Sequence, residues 1–167
     1  MRSNSDTISE IAESSNSVIH EFEHTFKELN SLAKESSISA VKVQNRLFTT
    51  LIKVDHIIFK SNAYTTVLES DTSATLHSHT ECSMGKWYLN EGKEMFGDTR
   101  AFKELDAPHK RVHDAVFKNL VFVADGTTLK YDNPKTLVEN FKEMEDASNI
   151  VYAKLDDMLD EFNQKGK

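Results

Sequence analysis

Little in this sequence interrupts a helix. It has two prolines and five glycines among 167 residues, and these two residue types are the strongest helix breakers. Long stretches are therefore free to stay helical. No stretch alternates apolar and polar residues with the period of two that marks a strand, and no segment repeats. There is one cysteine, Cys82. That excludes an internal disulfide and leaves a thiol that is free, buried, reactive or metal-bound. No apolar run approaches the roughly 20 residues that cross a bilayer. The start, Met1-Arg2-Ser3-Asn4-Ser5-Asp6, lacks the apolar core of a signal peptide, so a cytoplasmic location is expected. Bases are outnumbered, 20 against 27 acids, for a net charge of −7. Such a surface carries no electrostatic footprint for nucleic acid or anionic lipid. Hydrophobic residues make up 38% of the chain, which suits helices with one buried stripe better than a thick layered core.

What is present is helical periodicity. Residues 7–36 read as an amphipathic helix of heptad character. Ile8, Ile11, Ser15, Val18, Phe22, Thr25, Leu29, Leu32 and Ser36 alternate at spacings of three and four. Several of these positions are small or polar, so this seam needs a partner helix. A second run, 38–69, places Ile38, Val41, Leu47, Leu51, Val54, Ile58 and Val67 at apolar positions. His56 sits on a neighbouring flank with Ile52, Phe59 and Ala63. Residues 70–80 form a polar loop. A third helix is expected from Thr80 or Glu81 to about Phe96, with Gly85 inside it at a cost of about 1 kcal/mol against alanine. That cost implies a close approach by another helix or a metal site. Asp106 as N-cap and Pro108 in the first turn start a fourth helix that runs to about Ala124. The last spans 134–163, with Leu137, Phe141, Met144, Ser148, Val151, Leu155, Met158 and Phe162 as its buried stripe and Gly166 past its end. The expected fold is all-α: an antiparallel four-helix bundle over 46–165, with a heptad-like N-terminal helical extension over 1–45.

One constellation carries chemistry. Zinc takes four nitrogen or sulfur ligands in a tetrahedron, and a bundle interior can supply them from facing helices. His109 and His113 are one turn apart on one helix face. Cys82 offers a thiolate and His56 a third imidazole. A site closed by His56, Cys82, His109 and His113 has no vacant position for a water, which argues against hydrolysis and against an enzyme. Spacing alone leaves a second reading open. Histidines at i and i+4 recur by chance, and a lone buried cysteine also serves as a small hydrophobe.

The stretch from about 47 to 123 resembles the chemoreceptor zinc-binding domain (CZB) of bacterial signalling proteins. The resemblance rests on His56-Ile57-Ile58-Phe59, then Cys82-Ser83-Met84-Gly85-Lys86-Trp87, then His109-Lys110-Arg111-Val112-His113. It implies His56, Cys82, His109 and His113 as ligands of Zn2+, with Met84, Gly85 and Trp87 packing around them. It also implies a helical bundle that commonly forms a homodimer. The family attaches to methyl-accepting chemoreceptors and diguanylate cyclases, and no GGDEF catalytic segment is present here. Runs such as Glu10-Ile11-Ala12-Glu13-Ser14-Ser15 resemble the end of a chemoreceptor's cytoplasmic signalling coiled coil. The resemblance thus implies the C-terminal part of a soluble chemoreceptor that reaches chemotaxis signalling proteins through its parent receptor. Oxidant (hypochlorous acid) sensed by Cys82 as a redox switch, or zinc level, would be the signal. A purely structural, zinc-clamped dimerisation module is the alternative, and a metal-free helical adaptor is a third reading.

Two histidine pairs are set aside. His20-Glu21-Phe22-Glu23-His24 spells the H-E-x-x-H of zinc proteases, but both histidines fall away from the heptad seam and no substrate cleft accompanies them. His77 and His79 lie in the loop before Cys82, where they could capture metal adventitiously. A disordered loop would make them poorly preorganised ligands.

Overall fold

The structure, a computed structural model, describes residues 3–165; Met1, Arg2, Gly166 and Lys167 lie outside the described residues. Its helices are α1 (Asn4–Leu68), α2 (Ser83–Leu89), α3 (Glu91–Phe96), α4 (Arg100–Lys103), α5 (Asp106–Ala124) and α6 (Asn133–Lys165). Among the described residues there is no strand. The chain divides into two compact units, Met1–Gln44 and Asn45–Lys167.

In the first unit every described residue is exposed. The heptad positions Ile8, Ile11, Val18, Phe22, Leu29 and Leu32 all stand in solvent, with Phe22 at 70%. Phe22 and Phe26 stack on each other with ring centres 6.2 Å apart. The helix passes through Ser36-Ser37 without a break.

The second unit is a helical bundle. Met144, Ala147, Val151, Leu155 and Met158 of α6 are fully buried against Val112, Ala115 and Val116 of α5, with Ile52 and Ala63 of α1 in the same core. The expected α6 stripe is the one that packs: Leu137 and Ser148 are buried as well, and Phe141 and Phe162 are half-buried. Phe96, Phe102 and Trp87 close one end as an edge-and-tilted aromatic group.

The structure departs from the expectation in three places. Over 45–68 the apolar positions Leu47, Leu51, Val54 and Ile58 are exposed. The buried face is instead Asn45, Thr49, Ile52, His56, Lys60, Ala63, Thr66 and Val67. Polar chemistry directs that choice. Lys60 Nζ is 2.6 Å from Glu145 Oε2 of α6, whose other oxygen accepts from the Tyr64 hydroxyl at 3.0 Å. The third helix is broken at Asn90, whose side-chain amide donates to the Lys86 carbonyl at 2.7 Å and whose ψ of −106° is not helical. Finally, α5 begins at Asp106 itself, so Leu105 holds the N-cap position without a side-chain hydrogen bond.

α1 ends without glycine or proline. Ser70 takes a left-handed φ of 51°. The Ser70 amide donates to the Val67 carbonyl at 3.3 Å and the Asp71 amide to Thr66 at 2.9 Å. This is a Schellman closure with serine where glycine is usual, and Ser70 Oγ is held 3.1 Å from Thr128 Oγ1. It turns the chain into the 69–82 loop, which crosses back over the histidines.

Candidate metal centre

Three helices and a loop deliver the donors. α1 carries His56, α5 carries His109 and His113, and Cys82 is the N-cap of α2. Each histidine is between 1% and 3% exposed. One ring nitrogen from each of the three lies within 4.8 Å of the others. Cys82 joins this group on one side, with Sγ 3.3 Å from His109 Nε2.

The outer ring nitrogens set the tautomers. His56 Nδ1 lies 3.2 Å from the Ile52 carbonyl, and His113 Nδ1 lies 2.9 Å from the His77 carbonyl. A ring nitrogen facing a carbonyl must be its N–H, so each Nε2 turns inward with a free lone pair. His56 Nε2 and His113 Nε2 are buried and have no hydrogen-bond partner. An orphaned buried acceptor costs about 1–3 kcal/mol. Two such atoms beside a third imidazole and a thiol make a donor set of the kind zinc takes, so the residues present fit the ion.

Electrostatics keeps these lone pairs available. Burial first, and then the neighbouring His56, His113 and His79, push the His109 pKa down to about 2. Burial likewise lowers His113 to about 4, against the opposing His77 carbonyl. His56 is lowered mainly by burial. All three are neutral at pH 7. Burial pushes the Cys82 thiol up, while the amide of Gly85 pulls it down. That amide donates to Sγ at 3.3 Å. A bound cation would dominate both effects and favour the thiolate.

Gly85 explains itself here. A β-carbon on it would stand 1.9 Å from the His79 carbonyl oxygen. The close approach is by the loop backbone, which presses onto the first turn of α2. Beside it, a cavity of about 310 Å³ opens against Cys82, His56 and His113, with Asp55, Phe59 and Leu76 among its walls. The H-E-x-x-H histidines are exposed, with His20 3.8 Å from Glu23 and His24 3.6 Å from Glu28.

Residues 56–119 match the family of chemoreceptor zinc-binding domains, CZB. The matched segment begins at His56 and contains Cys82, His109 and His113. No curated protein and no solved structure matches the chain. The CZB match names zinc, and the three-histidine cluster is compatible with a metal ion. Among the described residues no helix is long and apolar enough to cross a membrane.

Two contributions of the loop go beyond the adventitious metal capture expected of its histidines. The His77 carbonyl orients His113. His79, expected to be poorly preorganised, brings its ring to 6.0 Å from that of His109 and 6.5 Å from that of His113. Only the fold of 69–82 could reveal either.

Proposed function

We propose that this chain is a zinc-binding sensory domain without catalytic activity, in which His56, Cys82, His109 and His113 hold one Zn2+ and Cys82 is the redox-sensitive ligand. The observation that carries this reading is the pair of buried, partnerless Nε2 atoms of His56 and His113, facing His109 and the Cys82 sulfur. Zinc bound there would keep Cys82 as a nucleophilic thiolate at neutral pH.

The cavity against Cys82 gives a small neutral oxidant access to the sulfur. With hypochlorous acid the step is RS⁻ + HOCl → RSOH + Cl⁻. Sulfur loses two electrons, chlorine gains them, and the oxidant's oxygen and proton stay on sulfur. The sulfenic acid no longer accepts from the Gly85 amide as the thiolate does, so the first turn of α2 loosens. His56 shares α1 with Lys60, whose ion pair with Glu145 ties α1 to α6. A change at the site is therefore applied to the two long helices of the bundle.

The exposed apolar seam of 8–32 supports assembly as a homodimer, and the resemblance of 1–45 to a signalling coiled coil supports a cytoplasmic chemoreceptor as the parent protein, with chemotaxis proteins as its partners. Zinc analysis of protein purified without a metal-affinity tag tests the first part, with about one zinc per chain expected. Stoichiometric hypochlorous acid tests the second. Wild type should loosen its zinc and Cys82→Ala should not respond. Equal responses would leave a structural zinc clamp; absence of zinc would sink both readings.

A further inference from the structure

His79 has a place in the site that neither its loop nor the fourfold donor set accounts for. Two imidazoles bound about 2 Å from one tetrahedral zinc have ring centres about 5 Å apart. The three buried histidines are spaced at 5.0, 4.9 and 6.0 Å. His79 stands 6.0 Å from His109 and 6.5 Å from His113. It is thus about as far from the cluster as His56 is from His113. It is half-buried, and among the described residues no hydrogen bond engages its ring nitrogens.

His79 and Cys82 also move as one piece. The Cys82 amide donates to the Ser78 carbonyl at 3.1 Å, and the thiol donates to the His79 carbonyl at 3.5 Å. Both donors are therefore carried by a single turn resting on Gly85. His77 offers no such donor, because its side chain is exposed and it is its carbonyl that reaches the site.

We propose that His79 is a reserve ligand that replaces Cys82 when that sulfur is oxidised, so that the site passes from three imidazoles and a thiolate to four imidazoles instead of emptying. The inference rests on the zinc reading above. The exchange itself transfers no electrons: a nitrogen lone pair takes the place of a sulfur lone pair. The oxidant spends its two electron equivalents on Cys82 alone. The site gains one unit of positive charge and the 78–82 turn changes position. That makes a defined second state of the domain, in contrast to partial unfolding.

The test uses the full chain as wild type, His79→Gln, Cys82→Ala and the double variant. Zinc affinity is read by chelator competition, and each metal-free form is checked for its helical spectrum. His79→Gln should match wild type within about 3-fold, Cys82→Ala should weaken by about 10–100-fold, and the double variant by at least about 10-fold more. Cobalt substitution gives the geometry. Cys82→Ala should lose the thiolate charge-transfer band, and its visible bands should be shifted from those of the double variant, where water in place of a fourth imidazole completes the site. Oxidised wild type should retain zinc that oxidised His79→Gln releases. A double variant that binds as tightly as Cys82→Ala would mean that water fills the fourth position, and would overturn the proposal while leaving the zinc reading standing. Should the double variant fail to fold, release of zinc at the same oxidant dose by wild type and His79→Gln would overturn it equally. Wild type without zinc would overturn both.

Discussion

Residues 4–44 and 45–165 use amphipathic helices to opposite ends. In the first region isoleucine, valine, leucine and phenylalanine recur at heptad spacing and all face solvent. In the second, the same helix α1 turns asparagine, threonine, histidine and lysine inward and leaves Leu47, Leu51, Val54 and Ile58 outside. Hydrophobicity along α1 therefore does not say which face is buried. Over 45–68 the inward face is chosen by what its polar groups meet: Glu145 for Lys60, and the α5 histidines for His56. Over 4–44 no described residue is buried, and the apolar face stays open. The proposed metal chemistry belongs to one region and the proposed pairing to the other, and each proposal can be broken separately.

The largest expected effect is at the metal. His109 touches both the Cys82 sulfur and the rings of His56 and His113. His109→Ala should lower zinc affinity by more than about 100-fold, since even partners outside the ligand set cost 10–100-fold when removed. It should also erase the stabilisation by zinc, about 4 kcal/mol at a thousandfold excess over Kd. Calorimetric melts with and without zinc measure this. A variant that zinc still stabilises like wild type would remove His109 from the site.

Next comes Gly85→Ala. The added methyl meets a backbone carbonyl at 1.9 Å, so the loop or α2 must move. A loss of about 3 kcal/mol is expected, as for overpacking in a core, and melting should fall by about 6–12 °C. Gly126→Ala is the contrast. Its φ of 62° carries backbone strain, but no atom lies within 4 Å of the new carbon, so about 1 kcal/mol should be lost.

Much of this second region was legible. The stripe from Leu137 to Phe162, the α5 histidine pair and the cost of Gly85 all follow from spacing and residue type. Three things were not. The end of α1 rests on Ser70 in a glycine conformation, stabilised by a distant threonine. The break at Asn90 rests on a side chain that bonds its own helix. The buried face of 45–68 depends on partners some 50 to 100 residues away in the chain. Tertiary contacts decide the first and the last of these, whereas the break at Asn90 is local, a side chain bonded to the carbonyl four residues before it.

Acid should weaken the second region without zinc. A histidine whose folded pKa is depressed binds fewer protons folded than unfolded once pH drops below about 6.5. Its contribution is complete above that value and is lost as pH falls, down to about 4 for His113 and about 2 for His109. At pH 5 each of these two should cost the metal-free protein about 2 kcal/mol relative to pH 7. Denaturant midpoints across pH 7 to 5 measure this; a flat profile would contradict the buried, neutral state of the histidines. His113→Asn should flatten part of the slope.

The smallest effect on stability, and the sharpest on assembly, belongs to the first region. Phe22 and Leu29 are seam positions exposed at 70% and 57%. Replacing both by serine removes no buried contact, so the metal-free melting temperature of the bundle and its zinc content should stay put. In a paired helix the same change removes two apolar knobs from each chain, at about 1.5–3 kcal/mol apiece. Light scattering after size exclusion should therefore find the mass halved at micromolar protein. Unchanged mass would deny the seam its role in pairing. Loss of zinc would deny something larger, that metal binding and pairing are properties of separate regions.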